Sequence, residues 1–320
     1  MGKNIIICSD GTGAEYGQNN TNVVKIYTLA HKSEDQICFY DPGVGTGDWT
    51  YDEKTNIIKS TSDKATGVGL QKNVEDAYKF LMWTYDPGDQ IFLFGFSRGA
   101  FTIRALAGML KKVGLLHNKF DLNMLEYASK IYNTPNNIEI AQGFKDTFSR
   151  PCPVYFIGVW DTVESLAMSA GKRFYDYKLD PTIKYAYQAL SIDEKRADFP
   201  PCLWDEIPVD GQVMEQVFFI GCHSDVGGWY LDSDLSDIAL KWMVKNAIKA
   251  GMKFNPTLLA EFFNKPENPQ GIIHESYSGI WKIRSREVRV IPEGSKIHKS
   301  VFQRKDYHPE NLPIEHEVVE

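Results

Sequence analysis

The stretch Ile91-Phe92-Leu93-Phe94-Gly95-Phe96-Ser97-Arg98-Gly99-Ala100 decides how the rest of this chain is read. A fully apolar run ends in G-x-S-x-G, and a helical pattern begins at once with Ala100, Ile103, Leu106, Ala107 and Leu110. That context predicts Ser97 on a sharp strand-to-helix turn, which separates a nucleophile elbow from an ordinary glycine-bounded helix cap. Gly95 and Gly99 carry no Cβ, so strand and helix can close around the serine while the strained turn holds its hydroxyl out at the carboxyl edge of a sheet. The first N–H groups of the following helix point at the same spot, where they stabilise a developing oxyanion.

A lone serine is a weak nucleophile; it needs a base, and the base needs an orienting carboxylate. Val154-Tyr155-Phe156-Ile157-Gly158-Val159-Trp160 reads as a buried strand that delivers Asp161, and Val217-Phe218-Phe219-Ile220-Gly221-Cys222 delivers His223 in the same way. Polar groups just past the carboxyl ends of parallel strands converge at one sheet edge, and the chain order Ser, Asp, His is that of an α/β-hydrolase. Each residue has a plainer reading: Asp161 is also placed to cap the turn at Thr162 and Val163, and His223 also fits a buried structural histidine. Asp225 competes for the acid role and is otherwise expected to support the loop Val226-Gly227-Gly228. The remaining histidines (His31, His117, His274, His298, His308, His316) follow no apolar strand run and are expected to face solvent.

The first apolar run, Ile5 to Cys8, ends in Ser9-Asp10-Gly11-Thr12-Gly13. With the Ser97 strand as the fifth of an α/β-hydrolase sheet, the strands at Ile37 and Ile5 become the fourth and third, and the loop after the third carries the second oxyanion donor. The N–H of Gly11 or Thr12 is therefore assigned that role, with Arg98 N–H as its partner and Asp10 supporting the loop. A simple turn is the competing reading. A phosphatase of the D-x-D-G-T type would need an acid where Cys8 stands, and a P-loop would need Gly-Lys-Ser/Thr, which neither Gly11-Thr12-Gly13 nor Gly43 to Gly47 completes.

Strands are expected at Ile5 to Cys8, Ile37 to Tyr40, Ile91 to Phe94, Val154 to Val159 and Val217 to Ile220. Helices are expected at Asn22 to Ala30, capped by Asn20 or Thr21, and at Asn73 to Trp83, Thr102 to Val113, Met124 to Tyr132, Pro181 to Leu190 and Leu235 to Ala250. This alternation predicts an α/β fold with a mostly parallel sheet covered by helices on both faces. No repeat and no long linker divides the 320 residues, so one domain is expected, with residues 265–320 an irregular, proline-rich segment packed on it.

With 43% hydrophobic and 24% charged residues, a chain of this length buries roughly three quarters of its unfolded surface. The net charge of −7, with no Lys/Arg block, argues against a nucleic-acid partner. No apolar run approaches the ~20 residues of a membrane-spanning helix. The first apolar run is too short for a signal-peptide core, and the five scattered cysteines form no C-x-x-C pair, which together predict reduced thiols and a cytoplasmic setting, with export by a machine that needs no cleaved signal as the alternative. No cofactor and no resident metal are expected. Two rivals stand beside the serine reading: a metal-dependent hydrolase using Asp10, Asp161, Asp225 and His223 as ligands, and a non-catalytic hydrolase-like scaffold. Loop aromatics at Trp49, Tyr51, Phe174, Tyr175, Tyr177, Trp229 and Tyr230 are available to line a pocket, and Leu166 to Tyr175, with Lys172 and Arg173, is a candidate lid or membrane-facing loop.

Seven ordered motifs between about residues 4 and 230 carry a resemblance: Asp10-Gly11-Thr12, Thr21-Asn22-Val23, Tyr40 to Thr46, Phe94 to Ala100, Gly158 to Val163, Asp193-Glu194-Lys195-Arg196 and His223 to Gly228. In these the chain resembles the catalytic core of the α/β-hydrolase domain family that includes the type VI secretion phospholipase effectors. The resemblance implies an esterase or phospholipase using Ser97, Asp161 and His223 on an ester or phospholipid substrate. In the absence of a membrane-spanning run, peripheral membrane contact is compatible with the sequence.

Overall fold

The computed structural model of the chain describes residues 2–11, 17, 19–43, 49–52, 57–60, 67–117, 122–163, 179–205 and 207–320. It begins with β1 (Asn4–Ser9) and α1 (Asn22–Leu29), followed by β2 (Gln36–Asp41), the antiparallel pair β3 (Trp49–Asp52) and β4 (Ile57–Ser60), and α2 (Gly67–Thr84). Then β5 (Gln90–Phe96) runs into α3 (Arg98–Val113), succeeded by β6 (Leu115–Leu116), α4 (Leu122–Tyr132), α5 (Ile138–Phe148) and β7 (Ser149–Arg150). Three further strands, β8 (Val154–Trp160), β9 (Tyr185–Ser191) and β10 (Val213–Phe219), precede α6 (His223–Gly227), α7 (Asp234–Lys249) and α8 (Pro256–Asn264). The last elements are β11 (Ser295–His298), α9 (Ser300–Gln303) and β12 (His316–Val319).

Among the described residues, eight of these strands form one sheet in the order β12-β11-β10-β9-β8-β5-β1-β2, and every neighbouring pair is parallel. The fold is thus α/β with a parallel sheet and helices, consistent with an α/β-hydrolase. The unbroken apolar runs of β1 and β5 follow from burial on both faces. Ile5, Ile7, Ile91 and Leu93 point into a core shared with α2 and α3, while Ile6, Cys8, Phe92 and Phe94 point into one shared with α1 and α7. Each such large side chain, fully removed from water, contributes about 1.5–3 kcal/mol. From β5 the chain has placed β1 and β2 to one side and β8 to β12 to the other. The strand order therefore reverses between β1 and β5, and the crevice outside their carboxyl ends is where such sheets bind ligands.

One element differs in kind from the expectation. Pro181 to Leu190 does not form a helix: residues 181–182 lie in a turn and Tyr185–Ser191 is strand β9, paired with β8 and β10. A strand buried on both faces has no period of two, and its Ala186, Ala189 and Leu190 imitate helical spacing. The buried Gln188 is satisfied there by donating to Cys202 O at 3.0 Å. Helix α8 is not among the expected helices, although a local start signal precedes it. Asn255 accepts from the N–H groups of Thr257 and Leu258, and Pro256 occupies the first turn. The segment after Asn264 contributes β11 and β12 to the edge of the main sheet, in register Val217↔Lys296 and Lys296↔Glu317.

Candidate active site

Ser97 sits between β5 and α3 with φ 56° and ψ −120°, a conformation an L-residue adopts only under strain. The glycines explain how the turn closes. A Cβ on Gly95 would lie 2.6 Å from Gly99 O, and one on Gly99 would overlap the carbonyl oxygen of Ser9. The β1 loop passes directly beside the serine, since a Cβ on Gly11 would lie 3.5 Å from Ser97 Cβ. Ser97 N–H donates to Trp160 O at 3.1 Å, so the elbow is tied to the end of β8.

Asp161 follows β8 directly, fully buried at φ 41°, and its N–H donates to Ala189 O at 2.7 Å. Its Oδ2 lies 2.6 Å from His223 Nδ1. More donors surround the carboxylate, the Ser191 hydroxyl among them at 3.4 Å from Oδ2. Ser191 N–H reaches Oδ1 at 3.0 Å, and the Arg289 guanidinium reaches Oδ1 at 2.5 Å and Oδ2 at 2.9 Å. Burial alone would push this carboxyl up, but the charge of Arg289 and the bond to His223 outweigh it and hold Asp161 well below the usual carboxylate range. Asp161 is therefore an anion in the folded protein.

His223 opens α6 immediately after β10 and is 5% exposed. Its ring packs on Phe96, the residue before the serine, at 4.6 Å between centroids, and edge-on to Phe199 at 5.1 Å. Ser97, Asp161 and His223 are thus brought to one sheet edge. The His223–Asp161 bond is formed, and His223 packs beside the elbow through Phe96.

A second ring of residues holds His223. Its N–H donates to Glu194 Oε2 at 3.2 Å, and Glu194 in turn accepts from Arg196 Nε and Nη2, both at 2.8 Å, and from Ser276 Oγ at 2.9 Å. Although burial raises it, Glu194 is brought down to about 2 by Arg196. Asp193 accepts from Gly221 N–H at 2.7 Å and Tyr307 OH at 2.7 Å, bracing the turn before the histidine. Asn22 anchors the far side, its amide donating to Val226 O at 2.9 Å and Ser236 O at 3.0 Å. The motifs at Thr21-Asn22-Val23 and Asp193 to Arg196 are in this way supports for His223.

Asp225 does not approach His223 as a second acid. It accepts from Cys222 N–H at 3.0 Å and pairs with His274 Nδ1 at 2.6 Å. Asp10 accepts from Gly11 N–H at 2.7 Å, Thr21 Oγ1 at 2.6 Å and Tyr40 OH at 2.9 Å. Gly11 therefore has the proximity expected of an oxyanion donor, but its amide is engaged by Asp10. Thr12 lies outside the described residues, as do Leu166 to Tyr175 and Tyr177, and of the Trp49 and Tyr51 side chains nothing is described. Arg98 N–H opens the first turn of α3, where helical amides have no intrahelical partner.

Of the histidines expected to face solvent, His298 is buried and His274 is only partly exposed. His298 is 3% exposed on β11, stacked on Phe219 at 4.7 Å and lowered by burial to about 4. His274 stacks on Tyr230 at 3.7 Å and pairs with Asp225. Arg289, Ser191 and Glu194 went unnoticed as site residues. Glu194 lies in a quoted motif, whereas Arg289 sits in a stretch without periodicity. The donors of the metal-hydrolase reading do not gather: among the described residues no three His, Cys, Asp or Glu side chains form a metal-holding group. Asp161, moreover, already carries an arginine on both oxygens.

A family model described as "T6SS, Phospholipase effector Tle1-like, catalytic domain" matches residues 3–246. The "Uncharacterized protein YEL023C" of Saccharomyces cerevisiae is 35% identical over 228 residues, covering 65% of this chain and 33% of the yeast protein. The chain thus spans about a third of that relative's length. Among solved structures, an uncharacterized protein from Pseudomonas aeruginosa aligns with TM-score 0.45 and 18% identity, over 82% of this chain and 49% of that one. The Tle1 effector bound to the VgrG spike of the type 6 secretion system aligns with TM-score 0.39 and 17% identity, over 72% and 51%. By the family match over most of its length, this chain belongs to the Tle1-like phospholipase effector catalytic domain family.

Proposed function

We propose that this protein is a serine hydrolase that cleaves carboxylic esters through an acyl-enzyme, with phospholipids as the substrate class its family points to. The observation that carries the reading is a serine at positive φ on a strand-to-helix turn, beside a His–Asp pair 2.6 Å apart at the ends of β10 and β8. In this mechanism His223 Nε2 takes the Ser97 proton as Oγ attacks the ester carbonyl carbon. Asp161, on Nδ1, fixes the tautomer and stabilises the imidazolium. The oxyanion is met by Arg98 N–H. His223 then returns its proton to the leaving alcohol, and water, deprotonated by the same imidazole, releases the acid from Ser97. Because the base acts only when neutral, hydrolysis falls as pH drops through the imidazole range.

The lipid class is supported by family membership alone. No helix among the described residues is long and apolar enough to cross a membrane. The test is labelling with an alkyl phosphonate probe together with turnover of short-chain esters and phosphatidyl lipids. Ser97→Ala is expected to lose both labelling and turnover while its circular dichroism stays native; undiminished turnover would refute the reading.

A further inference from the structure

We infer that Arg289 is a positioning residue for the proposed reaction: it locks the orientation and charge of Asp161 and so sets the pH range in which His223 works as the base. The inference rests on the serine-hydrolase reading. It concerns a residue outside the matched core, because the family match ends at residue 246.

The geometry is that of a built clamp. Nη1 and Nη2 of the guanidinium meet the two oxygens of Asp161, at 2.5 and 2.9 Å, and their second hydrogens go to Ser191 O at 3.0 Å and Phe199 O at 2.9 Å, while the buried Nε–H has no acceptor among the described residues. Arg289 is 6% exposed and Asp161 is 0% exposed. The carrying segment is laid alongside the Glu194 strap: Glu287 N–H donates to Lys195 O at 2.9 Å and Ala197 N–H to Ser285 O at 3.2 Å. Asn311 then fixes the arginine's own carbonyl at 3.0 Å. A bidentate fork allows one carboxylate plane, which leaves Oδ2 aimed at His223 Nδ1.

The charges around His223 give the clamp a second consequence. Asp161 faces the imidazole with Arg289 behind it, and Glu194 faces its backbone with Arg196 behind it. On α6 itself Asp225 is turned to His274, with Cys222 and Tyr230 beside that pair. The imidazole is therefore set among ion pairs rather than bare carboxylates. An unaccompanied buried anion at Asp161 would favour the protonated imidazole strongly and withhold the base. Arg289 removes that bias while keeping Asp161 an acceptor.

The experiment compares wild type with Arg289→Met and Arg289→Lys. It reads kcat and KM on a short-chain ester from pH 5 to 9, and follows the His223 ring resonances by NMR titration in a Ser97→Ala background. Arg289→Met is expected to lower kcat about 100-fold with KM nearly unchanged. It is also expected to move the acid limb of kcat/KM, and the ring titration, up by roughly one pH unit. Arg289→Lys retains the charge but not the fork, so its acid limb should stay at the wild-type pH while kcat remains reduced. An acid limb and ring titration unmoved in Arg289→Met would overturn the inference, leaving the arginine a purely structural strut. If Arg289→Met does not fold, Arg289→Lys decides: a reduced kcat at an unmoved acid limb supports the clamp, and wild-type kcat overturns it. Turnover that survives Ser97→Ala would instead sink the serine reading, and the ring titration would still report on the clamp.

Discussion

Two His–Asp pairs lie at the same edge of the sheet, and their hydrogen bonds have the same length. His223 Nδ1 meets Asp161 and His274 Nδ1 meets Asp225, each at 2.6 Å. What surrounds them differs. Asp161 is backed by a buried arginine, and its histidine packs against the residue preceding a strained serine. Asp225 is held by the backbone of Cys222 and of His274, and its histidine is covered by Tyr230, with a side chain one quarter exposed. A short His–Asp bond is thus a frequent local solution to burying two polar groups. A nucleophile within the first pair's neighbourhood is what distinguishes a candidate catalytic site from a brace.

The largest effects should fall on the first pair. Ser97→Ala is expected to reduce ester turnover by about 10⁴-fold or more. Asp161→Asn should cost about 10³–10⁴-fold in kcat by spoiling the tautomer of His223. It should also lower stability by about 3–5 kcal/mol, because Arg289 is left buried without its anion. Urea unfolding alongside steady-state rates checks both, and an Asp225→Asn variant more damaging to kcat than Asp161→Asn would exchange the roles of the two pairs.

A third buried carboxylate sharpens what the arginine does. Among the described residues Asp10 has hydroxyl and amide donors but no cation, and burial pushes it from its ordinary 3.8 up to about 6. A folded-state value above the unfolded one means stability that is present below about pH 4 and is lost as pH climbs through 6. Asp10→Asn lacks that loss, so its stability relative to wild type should rise by on the order of 2–3 kcal/mol between pH 4 and 7. Denaturant midpoints at four pH values measure this, and a difference that stays flat or shrinks would show Asp10 to be charged in the fold.

The smallest effects belong to the second pair. His274→Gln and Asp225→Asn are each expected to change kcat less than about tenfold and to lower stability by about 1–3 kcal/mol through lost buried hydrogen bonds. Comparing thermal midpoints with rates separates the two. A loss in rate that matched Asp161→Asn would make this pair part of the chemistry.

The strand before Ser97, the glycines on either side of it, and the polar residues ending β8 and β10 were readable because each is a local pattern. An apolar run ends, and a polar side chain stands directly beyond it. Strand β9 was not readable as a strand, since Ala186, Ala189 and Leu190 are buried from both faces and leave no alternation. His274 was misplaced at the surface because its partner, Asp225, is 49 residues away in the chain. Arg289 escaped for the same reason, at 128 residues from Asp161.

Sequence by itself determined the class of fold, the order Ser97, Asp161, His223 along the chain, and the turn on which the serine stands. These depend on backbone preference and on which faces are apolar, both written within a few residues of each site. Only the tertiary structure decided which cation accompanies which acid: Arg289 on Asp161, Arg196 on Glu194, His274 on Asp225. Electrostatic pairing depends on distance through space, and the segments carrying these partners meet only after the sheet has brought their strand ends together.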